Sequence, residues 1–219
     1  MVTPRSIARL RQASSCLRGL LKRPAEGYRP EDVNGLQDVV DNPRYERIAR
    51  RLLQNPQGRE LFEEGASIYA GLSLEELAGL PAQTLGGAFG RFMLEQGLDP
   101  IVSRPGEFRG SDAAEYTKAR HREIHDILHV LLDIGISPRE EVVVQAFSLG
   151  QGSRLVSWAI VLVGLFKYGR AGGEPAIWRE LVDAYRRGRR AAFMLATRWE
   201  SMWDTELSDA RAQLGLSPV

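Results

Sequence analysis

Helical periodicity runs through almost the whole chain, and prolines fall at the joints between the periodic stretches. Proline lacks the backbone N–H and its ring crowds the preceding turn, so it cannot continue a helix. Pro24, Pro43, Pro56, Pro81, Pro100, Pro105, Pro138 and Pro175 therefore divide the chain into helical segments. Strand signals are nearly absent. The one Asn-Gly pair, Asn34-Gly35, is not flanked by alternating runs, and the β-branched cluster Val142-Val143-Val144 sits in a helix-like context. The spacing predicts helices over 6–22, 30–40, 43–54, 58–64, 73–79, 84–96, 111–134, 138–149, 153–166 and one long helix over 175–214. The expected fold class is all-α.

A chain of 219 residues suits one such domain over 1–219, with 1–52 as a loosely attached N-terminal part. The formal net charge of +1 gives no support for a nucleic-acid partner. Cys16 is the single cysteine, which rules out an intrachain disulfide framework and a thiolate metal cluster. The first 24 residues carry Arg5, Arg9, Arg11, Arg18, Lys22 and Arg23 and no acid. They read as a transit peptide, a basic helix on an anionic membrane, or an ordinary solvated helix. The most apolar run, 155–166, is too short for the ~20 residues of a spanning helix. It reads as a buried helix or as the wall of an apolar groove between helices. Arg186, Arg187, Arg189 and Arg190 cluster around Gly188 and suit phosphate or lipid headgroups, or a solvated helix face.

The three histidines, His121, His125 and His129, lie four residues apart on one helical segment. Four residues advance a helix by ~6 Å and ~40°, so His125 and His129 share a face and can reach one ion. His121 lies ~12 Å along the axis from His129 and is expected to be solvated or to support the ligands indirectly. Asp126 is a ligand or a hydrogen-bond acceptor that orients a ligating imidazole. Downstream, Ser137-Pro138-Arg139-Glu140 reads as a capping box. That gives Glu140 a structural task and leaves Glu141 to face the histidines across a short joint. Two imidazoles with one or two carboxylates suit Zn²⁺, with Fe²⁺ or Mg²⁺ as alternatives. A zincin requires Glu where Asp126 stands. A His-Asp phosphohydrolase requires an upstream histidine, and none precedes His121.

The motif His125-Asp126-Ile127-Leu128-His129, eleven residues, then Glu141 resembles the signature of the coenzyme Q biosynthesis protein 4 family. Tyr116, Arg120, Arg122 and Glu123 before it, the stretch Leu80-Pro81-Ala82-Gln83-Thr84-Leu85-Gly86, Trp199-Glu200 and Leu214-Gly215-Leu216 are also similar to that family. Asp133 stands where the family usually has Gly, and His121 replaces an aromatic. The resemblance implies a helical protein of quinone assembly that binds isoprenoid lipid and associates peripherally with a membrane. It further implies replacement of the ring C1 carboxyl of a prenylated 4-hydroxybenzoate by hydroxyl, or a scaffold role with a structural metal. On the enzymatic reading His125, Asp126, His129 and Glu141 form the catalytic and metal set. Leu155, Trp158, Ile160, Leu162, Leu165, Phe89 and Phe92 are expected to line the lipid groove. Expected partners are an isoprenoid quinone precursor, other quinone-biosynthesis proteins, a membrane surface and a second copy of the chain. The expected location is the cytoplasmic side of a bacterial inner membrane or the matrix side of a mitochondrial one.

Overall fold

The computed structural model describes residues 30–100, 109–169 and 177–216, with residues 11, 14 and 15 as isolated helical positions. The basic N-terminal stretch lies largely outside the described residues. Helix α1 is Pro30–Val40, α2 Asn42–Gln54, α3 Pro56–Glu64, α4 Leu74–Gly79 and α5 Leu85–Glu95. Helix α6 is Asp112–Leu132, α7 Pro138–Gln151, α8 Leu155–Tyr168, α9 Ile177–Arg190 and α10 Leu207–Gln213. Two 3₁₀ turns, Met194–Ala196 and Trp199–Ser201, lie between α9 and α10. The described residues contain no named strand, only an isolated bridge between Thr84 and Glu206.

Local chemistry sets most of these boundaries. Asn55, Ser73, Thr84, Ser111 and Ser137 each accept a hydrogen bond from a backbone N–H in the first turn of the following helix. Pro43, Pro56 and Pro138 occupy first-turn positions, where the missing N–H costs no helical bond. The capping box read from the sequence is complete in both directions at Ser137 and Glu140.

Helix α6 runs through the core, burying Ile124, Ile127, Leu128, Leu131 and Leu132. Helix α7 packs still more closely. Val142 to Leu149 are buried without interruption, because α8 and α9 approach α7 nearly backbone to backbone. A side chain at Gly188 of α9 would penetrate the Phe147 carbonyl, one at Gly164 of α8 would penetrate Val142, and one at Gly150 would lie 2.5 Å from the Tyr185 carbonyl oxygen. Small residues at these crossings let the helices close.

The structure departs from the sequence reading in two places. Residues 36–52, expected to attach loosely, contribute Leu36, Tyr45, Ile48, Ala49 and Leu52 to the core. The long helix expected over 175–214 ends at Arg190. Beyond it the backbone groups find tertiary partners instead of helical ones. Ala192 donates to the Leu214 carbonyl. The buried Arg120 guanidinium takes the carbonyls of Leu195 (3.0 Å) and Thr197 (2.6 Å) and pairs with Glu200 at 2.9 Å. The Trp199 indole, wholly buried, donates to the Met194 carbonyl. Among the described residues no helix is long and apolar enough to cross a membrane.

The α7–α9 crossing makes a contrast that chemical denaturation can read. Gly188→Ala is expected to destabilise the protein by about 2–3 kcal/mol through overpacking. Gly79→Ala, where an added methyl meets nothing within 4 Å, is expected to be neutral or to stabilise by up to about 1 kcal/mol.

Candidate metal centre

The site is made by one reversal of the chain. Helix α6 is capped by Asp133, which takes the left-handed conformation (φ 55°) that glycine adopts without strain. The Ile134 N–H donates to the His129 carbonyl across this turn. Glu140 then holds the other side of the loop: its carboxylate accepts from the Gly135 N–H at 3.1 Å and the Ser137 N–H at 3.0 Å. The reversal presents the first turn of α7, and with it Glu141, to the histidine face of α6.

His125, His129 and Glu141 lie with one donor atom from each within 4.8 Å of one another. The two Nε2 atoms are 3.5 Å apart, and each lies 3.3 Å from a different oxygen of Glu141. His129 Nδ1 lies 2.9 Å from the Gly135 carbonyl and 3.2 Å from that of Ile134. A carbonyl only accepts, so Nδ1 carries a proton, and an ion would take the place of any proton on Nε2, whose lone pair then faces the cluster. Phe92 stacks on the His129 ring at 5.8 Å between centroids, and the two imidazoles stand edge to face. With the Nε2 protons displaced, two imidazole nitrogens and a carboxylate converging at these separations fit a divalent cation.

Burial opposes charge on His125, but the Glu141 hydrogen bond and charge outweigh it and raise the imidazole above its ordinary value. Burial likewise opposes charge on Glu141, and the hydrogen bonds from His125 and His129 still hold the carboxyl well below the usual range. A histidine–carboxylate pair of this kind stabilises the protonated imidazole, so a metal ion must displace a proton to bind.

The other expected residues are placed as follows. Asp126 is buried one residue along α6 and does not join the group of three. Its Oδ2 accepts from the Tyr69 hydroxyl at 3.1 Å, and burial raises its pKa. Glu123 pins the Tyr69 loop by accepting from Ser67 Oγ (2.6 Å) and the Ile68 N–H (3.0 Å). His121 is neither solvated nor beside the cluster's donors. It is part-buried against the Arg154 guanidinium and the Tyr45 hydroxyl, and burial and Arg154 push its pKa well below normal.

The seven expected lipid residues do not share one surface. Phe89 lies in the core, stacked between Tyr69 and Trp203, and Ile160 is buried. Phe92 is half-buried beside His129. Leu155, Trp158, Leu162 and Leu165 are exposed on α8. Tyr69 and Gly135 were not identifiable from the sequence. Their roles depend on a hydroxyl and a carbonyl that only the folded loops bring to the site.

Metal binding should respond both to the loop and to pH. Glu140→Ala releases the loop that fixes the His129 tautomer without removing a ligand. Metal affinity is expected to fall about 10–100-fold in a chelator-competition titration. In the wild type, affinity is expected to fall about tenfold for each pH unit lowered below the raised pKa of His125, which lies above 6.5, because one proton must leave for each ion bound.

A similar sequence and fold occur in known proteins. The mitochondrial ubiquinone biosynthesis protein COQ4 homolog of Rattus norvegicus is 29% identical over 193 residues, covering 87% of this chain and 72% of the relative. The human homolog is 26% identical over 191 residues with the same coverage. A crystal structure of a Nostoc punctiforme protein assigned to ubiquinone biosynthesis superposes with a TM-score of 0.72 at 24% identity, covering 97% of this chain and 96% of that one. The profile of the family described as Coenzyme Q (ubiquinone) biosynthesis protein Coq4 matches residues 10–219, the metal-centre residues among them, and the chain belongs to that family.

Proposed function

We propose that the chain is a metal-dependent enzyme of quinone assembly, replacing the C1 carboxyl of a prenylated 4-hydroxybenzoate-type ring by hydroxyl. The observation that carries this reading is the convergence of His125, His129 and Glu141 with the His129 tautomer already fixed for ligation. Those three residues would hold the ion, zinc by preference of the donor set, with iron or magnesium as alternatives. When bound, the ion supplies a Lewis acid for the substrate carboxylate or phenolate oxygen.

The protein's own residues supply the rest. The raised pKa of His125 favours its proton in the absence of the ion, and loading releases that proton. Glu141 brings the negative charge. Asp126, held by Tyr69, is a buried carboxyl next to the ligand helix face and is assigned to orientation and proton holding in the catalytic set. The conversion breaks the ring–carboxyl bond, releases CO₂ and oxidises the ring by two electrons. Dioxygen as oxidant, reduced to hydrogen peroxide with water supplying the new hydroxyl's balance of atoms, closes the equation.

A second reading rests on the outer face of α8. Trp158, Leu162 and Phe166 recur at four-residue spacing and are exposed, Phe166 by 71%. The neighbouring α9 exposes Trp178, Val182 and Tyr185. Apolar surface of this kind suits a membrane, an isoprenoid tail, a quinone-biosynthesis partner or a second copy of the chain. It supports peripheral association with a membrane, which we propose is the cytoplasmic side of a bacterial inner membrane or the matrix side of a mitochondrial one. The exposed Arg186, Arg189 and Arg190 of α9 would meet phosphate headgroups there. On this reading the protein is a lipid-binding scaffold and the metal is structural.

Metal analysis and turnover separate the two. Wild-type protein is expected to hold one divalent ion per chain, and His125→Ala and Glu141→Ala to lose it. Equal metal content in all three would overturn the centre. Metal-loaded wild type is expected to release CO₂ from a prenylated 4-hydroxybenzoate in air and not anaerobically. Lipid binding without CO₂ release in any metal state would leave only the scaffold.

A further inference from the structure

Asp126 belongs to the ligand set expected from the sequence, yet it stands outside the group formed by His125, His129 and Glu141. Its place on α6 would let it join. It follows His125 directly and precedes His129 by three residues, a spacing that makes neighbours on a helix surface. It is also buried, and a buried carboxylate is ordinarily paired or bound to a metal. Its tie runs the other way. Among the described residues, the Tyr69 hydroxyl is the one hydrogen-bond partner of the Asp126 carboxylate, 3.1 Å from Oδ2.

Tyr69 cannot follow Asp126, because α6 fixes the loop that carries it at several points. Glu123 accepts from Ser67 Oγ and the Ile68 N–H. The Tyr116 hydroxyl donates to the Ala66 carbonyl at 3.0 Å. The Tyr69 hydroxyl also lies 3.0 Å from the Glu123 carbonyl, so its one proton serves that carbonyl and Asp126 together. The phenol ring stacks on Phe89, which stacks on Trp203. Ring and loop are therefore set independently of Asp126, and the carboxylate takes its direction from the hydroxyl.

That direction decides the coordination. Three protein ligands leave a position for water or substrate, while a fourth closes the site, as in structural zinc centres. We propose that Tyr69 is a positioning residue of the metal centre: its hydroxyl holds Asp126 off the ion and keeps the position that Asp126 would fill open to a carboxylate or phenolate oxygen from a substrate. The inference rests on His125, His129 and Glu141 being the ligands, and it gives that site its room for substrate.

The test is cobalt(II) loading of the full chain. Affinity is measured by chelator competition, and azide probes the open position through the visible absorption of the bound cobalt. In the wild type azide is expected to shift that absorption saturably by taking the open position. Tyr69→Phe keeps the stacked ring and loses only the hydroxyl. It is expected to bind cobalt about tenfold more tightly, as the freed Asp126 adds a charged ligand, and to need about tenfold more azide for the same shift. Asp126→Asn is expected to keep both its cobalt and its azide response. Combined with Tyr69→Phe, it is expected to return both quantities to wild-type values.

A wild-type azide response in Tyr69→Phe would overturn the role of Tyr69. So would a double variant that behaves like Tyr69→Phe, since the effect would then run through the fold and not through Asp126. Loss of cobalt in Asp126→Asn would make Asp126 a ligand and overturn the inference as well. Should Tyr69→Phe fail to fold, Asp126→Asn decides alone: cobalt kept with an azide response supports the inference, and cobalt lost refutes it. A wild type that takes up no cobalt is a separate failure, because it removes the ligand set itself. Cobalt uptake with an unaltered Tyr69→Phe leaves the ligand set standing and removes only the role of Tyr69.

Discussion

The Glu140 carboxylate, bound to the N–H groups of Gly135 and Ser137, is the interaction on which the candidate metal centre depends. It closes the short joint between α6 and α7. Three consequences come from that closure. The Gly135 carbonyl reaches His129 Nδ1 and fixes its tautomer. Helix α7 starts with its first turn against the histidine face of α6. Glu141, next in sequence, then has no direction to take but toward His125 and His129. Two adjacent glutamates thus divide the work: one holds the loop and the other joins the cluster. Hydrogen bonding lowers both carboxyls through different partners. Side-chain and backbone bonds at Ser137 and the Gly135 N–H lower Glu140, and the histidine pair lowers Glu141 against the opposing effect of burial.

Helix α6 carries an unusual load of buried charge, and its partners explain why the surrounding loops take their shapes. Lys118 pairs with Glu115 at 2.8 Å and lies 3.4 Å from Asp38, which also meets Arg122 at 3.3 Å. Arg120 reaches Glu200 and two carbonyls of the 194–198 segment. Glu123 takes the N–H and hydroxyl of the 67–68 loop. Buried ion pairs contribute little net stability over apolar packing, but removing one partner leaves a charge stranded at a cost of about 3–5 kcal/mol. Their effect here is to specify position. Each of these segments around α6 is tied to it by a charged side chain that tolerates no other register.

Those tertiary ties also mark the limit of what the sequence discloses. Most starts of helices were legible, because a serine or threonine cap and a first-turn proline act locally, although the helix capped by Asn55 starts at Pro56, two residues before its expected start. Ser137, Pro138 and Glu140 announce their geometry through local chemistry alone, and that chemistry separates Glu140 from Glu141. The end of α9 was not legible. Residues 191–206 keep a helix-compatible pattern, and distant partners draw their backbone out of it, among them the Arg120 guanidinium, 75 and 77 residues away from its carbonyl partners, and the N–H groups of Leu85 and Gly86. The residues expected to face lipid are divided between core and surface for a related reason. Apolar periodicity says that Leu155 to Phe166 has a face, and says nothing of which face the rest of the protein covers. The structure covers the Ile160 and Gly164 side and leaves Trp158, Leu162 and Phe166 outward.

His121 shows how the same spacing can serve two ends. The four-residue interval that sets His125 beside His129 also sets His121 one turn further back on α6, where the neighbour is Arg154 and not Glu141. A carboxylate partner raises His125, while desolvation together with a buried guanidinium lowers His121. Three identical side chains at equal intervals on one helix therefore part company through what the neighbouring helices bring to them. α7 supplies an acid at its first turn, and α8 supplies a base at its start. One end of the histidine row is set to collect a cation and the other keeps a neutral imidazole against a positive charge. The polarity of the row is written in the two helix starts that face it, and not in the histidines themselves.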